Sequence, residues 1–156
     1  MIQRLLMIAT LVAGTGIGLL WPNRNAVRPA APSEIDLEKG SDGQFYADVR
    51  VNGQPTHFLI DTGASEIALS EEDARRAGIT VDPSTYELIG EGASGIVRGA
   101  HVQIHEIDFE GFHAKDIKAV VVPGTQVSLL GQPFLDKLDE IVIQKDEMRL
   151  HYGVTS

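Results

Sequence analysis

Phe58-Leu59-Ile60-Asp61-Thr62-Gly63-Ala64-Ser65 runs an apolar, strand-like segment straight into an acid followed by Thr-Gly. A carboxylate at the end of such a strand is partly withdrawn from water. Two such groups brought within hydrogen-bonding distance cannot both ionise, so they share a proton. One can then hold and deprotonate a water while the other donates to a carbonyl oxygen. Gly63 allows a close backbone turn that points main-chain N–H groups at the carboxylate, and the Thr62 hydroxyl can brace the loop. Asp-x-Gly also caps turns for purely local reasons, so these residues alone leave Asp61 open between a catalytic group and a loop cap.

The segments on either side read as short strands. Residues 44–51 alternate, with Phe45, Ala47, Val49 and Val51 on one face. Asn52-Gly53 supplies the positive φ angles of a tight hairpin, and 57–60 returns as its partner strand. Ser70 is an N-cap with Glu71, Glu72 and Asp73 in the first helical turn, and Gly78 closes that short helix. The three acids read as a solvated helix start. Strands are expected at 86–89 and 96–104, separated by Gly90-Glu91-Gly92-Ala93-Ser94-Gly95, a glycine-rich tip that reads as a mobile hairpin. Further strands are expected at 107–109, 117–122, 140–143 and 148–152, with one or two helical turns over 132–138 and a turn at Lys145-Asp146-Glu147. The whole is an all-β pattern with little helix.

Composition narrows the partners. At 156 residues and 43% apolar content, the chain suffices for one compact domain. A net charge of −9 without a basic stripe argues against a nucleic-acid partner. With no cysteine, thiol catalysis, disulfides and Cys-ligated metal are excluded. His57, His101, His105, His113 and His151 are scattered and read as surface residues. His101 and His105 would share one strand face and would suggest a metal only if an acid joined them, and neither metal nor cofactor is expected.

Residues 1–21 read as an N-terminal membrane anchor. The uncharged run at 5–21 lies at the short end for a spanning helix, between Arg4 and Trp21-Pro22. A cleaved signal peptide is the rival reading, but Arg24 and Arg28 spoil the cleavage points before Ala26 and Ala30. Arginines on both sides leave the orientation open by charge. Residues 22–34, with three prolines, read as an extended tether, and the folded unit is expected at 35–156.

Asp61-Thr62-Gly63-Ala64 after an apolar strand resembles the catalytic loop of retropepsin-like aspartic proteases. About 70 residues on, Ser128-Leu129-Leu130-Gly131 resembles the second signature of that family, an apolar pair and Gly before a short helix, here Gln132-Pro133-Phe134-Leu135. In that family the second segment packs beneath the catalytic loop. The hairpin tip formed by Gly90, Glu91, Gly92, Ala93, Ser94 and Gly95 stands where the family carries its substrate-covering flap. Two departures stand out. Gln132 replaces the Arg of many retroviral members, and the tip is acidic and lacks their bulky apolar residue.

The resemblance is strongest to bacterial members with a single N-terminal anchor. It implies a single-lobed acid protease fold of closed, barrel-like β-sheets with one or two short helices, preceded by a transmembrane helix. It also implies Asp61 as the catalytic carboxylate, an extended peptide or protein as substrate, and a bacterial inner-membrane location with the protease domain on the periplasmic side. Only one Asp-Thr-Gly occurs, so a complete site requires a homodimer. The alternative is a binding or dimerisation module that keeps the fold without turnover.

Overall fold

The computed structural model describes residues 34–92 and 95–153. The anchor at 1–21 and nearly all of the tether lie outside these residues, as do Ala93 and Ser94 of the hairpin tip. Among the described residues no helix is long and apolar enough to cross a membrane. Glu34, read from sequence as the last tether residue, opens the first strand, β1 (Glu34–Glu38).

β2 (Tyr46–Val51) and β3 (Gln54–Ile60) form the expected hairpin, with φ of 49° at Asn52 and 81° at Gly53. A strand absent from the sequence reading follows, β4 (Ala68–Ser70), and runs directly into α1 (Glu71–Arg76). Three residues are too few for periodicity to announce a strand, and burial of Ile67 and Leu69 is what holds it. Gly78, at φ 74°, ends the helix as expected, with its N–H donated to the Arg75 carbonyl. Tyr86 ties the next segment back to α1 by donating its hydroxyl to Glu71 at 2.5 Å, which raises the phenol above its ordinary pKa.

β5 (Glu87–Gly92) pairs with β6 (Gly95–Phe109), and β6 pairs in turn with β7 (Phe112–Val122). The two strands expected at 96–104 and 107–109 are therefore one. The polar pair His105-Glu106, which looks like a break, lies within it. Ile104 and Ile107 are both buried, as are Ala114 and Ile117 opposite, so the ribbon changes its inward face here. Asp116, at φ 53°, accommodates the change. Asn52 pins the corner, since its N–H donates to the Glu106 carbonyl at 2.8 Å and its side-chain oxygen accepts the Glu106 N–H at 3.0 Å.

After β8 (Ser128–Leu130) come α2 (Gln132–Leu135), β9 (Glu140–Gln144) and β10 (Glu147–His151). The main sheet has the order β2-β3-β8-β4-β7-β6-β5, and a further β2–β6 pairing closes it into a barrel from which β5 projects. β1, β10 and β9 make a second, antiparallel sheet in that order. Phe58, Ile67, Leu69, Ile104, Phe109, Leu130 and Phe134 fill the core, and Ile35, Met148 and Leu150 join it from the second sheet. The barrel part of the expectation, an all-β fold with one or two short helices, is what the described residues form.

Candidate active site

β8 runs parallel to β3 on one side (Phe58↔Ser128, Leu59↔Leu129, Ile60↔Leu130) and antiparallel to β4 on the other (Ala68↔Leu129). Residues 61–67, which link β3 to β4, must therefore cross over the end of β8. Asp61 is the first residue of that crossing, and Gly131 lies directly under it. A Cβ on Gly131 would come within 2.2 Å of the Glu66 carbonyl oxygen and 2.6 Å of the Ala64 carbonyl oxygen, so only glycine admits this close approach.

Hydrogen bonds fix the crossing at each step. The Asp61 N–H donates to the Leu130 carbonyl at 3.2 Å, and the Gln132 N–H donates to the Ala64 carbonyl at 2.9 Å. The Gln132 side-chain amide donates to the Thr62 carbonyl at 2.7 Å. The departure at Gln132 thus still ties helix to loop. Thr62 is held through its carbonyl rather than through the hydroxyl expected to brace the turn. Within the loop the Gly63 N–H donates to Asp61 Oδ1 at 2.9 Å. A Cβ on Gly63 would stand 3.3 Å from that same oxygen. Among the described residues nothing bonds Asp61 Oδ2.

The half-buried Asp61 opens onto a groove of about 770 Å³. Gly63, Ala64, Ser65, Ala68 and Leu129 lie on the same side, and Ile89, Gly90, Glu91 and Val97 of the β5–β6 hairpin form the facing wall. Among the described residues Asp61, Glu66 and Glu91 are the charged groups that line it, so this lining is electronegative. Of the six hairpin-tip residues, the structure brings Gly90 and Glu91 to the groove, while Gly92 pairs with Gly95 beyond it. Sequence reading missed Ile96, a bulky apolar residue opposite Glu91 and 74% exposed, because it was counted into the strand rather than the tip.

His101 and His105 do share an exposed face of β6, and each lies beside one acid, Glu87 at 3.9 Å and Asp116 at 3.4 Å. Among the described residues no group of three potential metal ligands converges. Asp73 overturns its assignment to a solvated helix start. It is buried, accepts hydrogen bonds from Ser70 and Ser128, and pairs with Arg76, whereas Glu71 and Glu72 are exposed as expected.

Residues 47–137 match the gag-polyprotein putative aspartyl protease family, a span that holds the Asp61 loop, the hairpin and the β8–α2 segment. An uncharacterized protein of Rickettsia prowazekii is 34% identical over 120 residues, covering 76% of this chain and 52% of that protein. One encoded in the cobV 5′ region of a Sinorhizobium species is 36% identical over 121 residues, covering 75% and 51%. The chain thus spans about half the length of these curated relatives. The crystal structure of a retropepsin-like aspartic protease from Rickettsia conorii superposes with a TM-score of 0.66 at 32% identity, covering 78% of this chain and 93% of that one. The EIAV protease in complex with the inhibitor HBY-793 shares the fold, with a TM-score of 0.54 at 21% identity over 67% of this chain and 97% of that one. The family match takes in the crossing built around Asp61 and Gly131, and on that match and the likeness to the rickettsial protease the chain belongs to the retropepsin-like aspartic proteases.

Proposed function

We propose that the chain is an aspartic endopeptidase whose working unit is a homodimer, with one Asp61 from each copy flanking a single water. The observation that carries this reading is the placement of Asp61. It sits at the mouth of the groove on a hydrogen-bonded crossing, one carboxylate oxygen held by the Gly63 N–H. One chain has one Asp-Thr-Gly, so a pair of carboxylates needs a second copy. Two facing carboxylates share one proton. The ionised one takes a proton from water as the water oxygen bonds to the scissile carbonyl carbon, and the protonated one donates to the carbonyl oxygen. The resulting diol collapses with transfer of a proton to the departing nitrogen, and the C–N bond breaks. The substrate is an extended segment lying between the Asp61 wall and the hairpin, whose strand edges can pair with its backbone.

The test mixes wild-type chain with Asp61→Asn chain. At an equal ratio with free exchange, activity per wild-type chain is expected to drop to roughly half, because only wild-type pairs hold two carboxylates. Activity that stays proportional to wild-type protein while exchange is demonstrated would overturn the shared site.

The apolar run at 5–21 is proposed to anchor the chain once in a bacterial inner membrane, with residues from Pro22 onward on the periplasmic side. Confinement to a plane would raise the effective concentration of two weakly pairing domains. Added protease is expected to digest the C-terminal domain in intact spheroplasts, and complete protection would reverse the orientation.

A further inference from the structure

Three consecutive acids open α1, and only the third is buried. Asp73 is 6% exposed, against 3% for Ser70 and 0% for Ser128. An acid at this helix position needs no burial to complement the helix dipole or cap the first turn. Taking the carboxylate out of water is costly unless it is paired and hydrogen-bonded, and here it is both. One oxygen pairs with Arg76, and the other accepts the Ser70 hydroxyl at 2.8 Å and the Ser128 hydroxyl at 2.5 Å.

The arrangement is a capping box with an extra member. In the ordinary box the N-cap hydroxyl accepts the N–H three residues on, and the acid there returns to accept the N-cap N–H. The first half is present, since the Asp73 N–H donates to Ser70 Oγ at 3.1 Å. In the second half Ser128 is interposed. The Ser70 N–H donates to Ser128 Oγ at 3.0 Å, and Ser128 donates onward to Asp73. Ser128 comes 55 residues after Asp73 and is the first residue of β8. Two residues later, the Leu130 carbonyl receives the Asp61 N–H, and Gln132 then holds Ala64 and Thr62. β8 is only three residues long, so its two ends cannot move independently.

We infer that Asp73 is a positioning residue for Asp61, acting through Ser128 to seat β8 beneath the catalytic loop. The inference rests on the proposed role of Asp61, but it makes a physical claim that does not depend on turnover. The experiment compares full-length wild type with Ser128→Ala and with Asp73→Asn, by steady-state kinetics and by residue-resolved amide hydrogen exchange. In Ser128→Ala, kcat is expected to fall about tenfold with KM changed by less than about twofold, because the carboxylate loses its alignment while the groove keeps its lining. Exchange at the Asp61 and Gln132 amides is expected to rise about tenfold, while β6–β7 hairpin amides such as those of Ile104 and Ala119 hold their wild-type rates. Asp73→Asn is expected to change the same amides in the same direction, and it decides the matter if Ser128→Ala does not fold. An unchanged kcat in active, folded variants, or exchange that rises at hairpin and loop alike, would overturn the inference. Wild-type protein without peptidase activity would defeat the proposed function, and the exchange pattern would still decide this one.

Discussion

The wall of the groove that carries Asp61 and the wall made by the β5–β6 hairpin face each other but are built in opposite ways. The first is a crossing of two chain segments at van der Waals limits, with Gly131 against the Ala64 and Glu66 carbonyls and with hydrogen bonds from Asp61 and Gln132. The second reaches out from the barrel. Among the described residues β5 is an edge strand paired with β6 alone, and Leu88 and Ile96 are 64% and 74% exposed. Edge position and exposure place the outer part of that hairpin at the low-stability end of the molecule. Chemistry that needs a carboxylate held to a fraction of an ångström belongs on the first kind of wall, and closing over a substrate belongs on the second.

Substitutions on the two walls should therefore behave differently. The largest effect is expected from Gly131→Ala, because the new methyl meets main-chain oxygens that cannot rotate away. A loss of about 3 kcal/mol in denaturant unfolding, with activity lost alongside, would fit the cost of forcing atoms into a filled site. A variant with wild-type stability would show that the crossing is looser than its geometry implies. A smaller and purely functional change is expected from Ile96→Ser. Exposure of this side chain means that removing it leaves thermal unfolding unchanged, while KM for a peptide substrate rises by roughly fivefold if the hairpin closes with Ile96 against it. Equal KM values would remove Ile96 from substrate contact. The smallest effect is expected from Gly90→Ala, the hairpin counterpart of the Gly131 change. A Cβ there meets nothing within 4 Å, so stability should stay within about 0.5 kcal/mol of wild type.

Much of the site was legible in the sequence because it is encoded locally. The Asn52-Gly53 turn needs only two residues that tolerate positive φ, and the strand before Asp61 needs only apolar neighbours. The loop turning back at Gly63 follows from the absence of a side chain there. What escaped was short or bent. β4 is three residues long, and β6 hides its continuity behind the polar pair at which it changes its inward face.

The sequence by itself determined the all-β class and the position of Asp61 at a strand end, since both follow from alternation and turn chemistry read within a few residues, while the barrel and the partner signature near Gly131 followed from resemblance to a known family. Tertiary structure decided how those pieces meet. It threads β8 between β3 and β4, which is why Gly131 admits no side chain, and it closes the sheet through β2 and β6. It also selected Asp73 from three adjacent acids of similar local context. Glu71, Glu72 and Asp73 all complement the start of the same helix. Ser70 gives Asp73 one hydroxyl partner from its own helix start, and the arrival of Ser128 from 55 residues away gives it a second that, with Arg76, offsets the cost of burying the carboxylate.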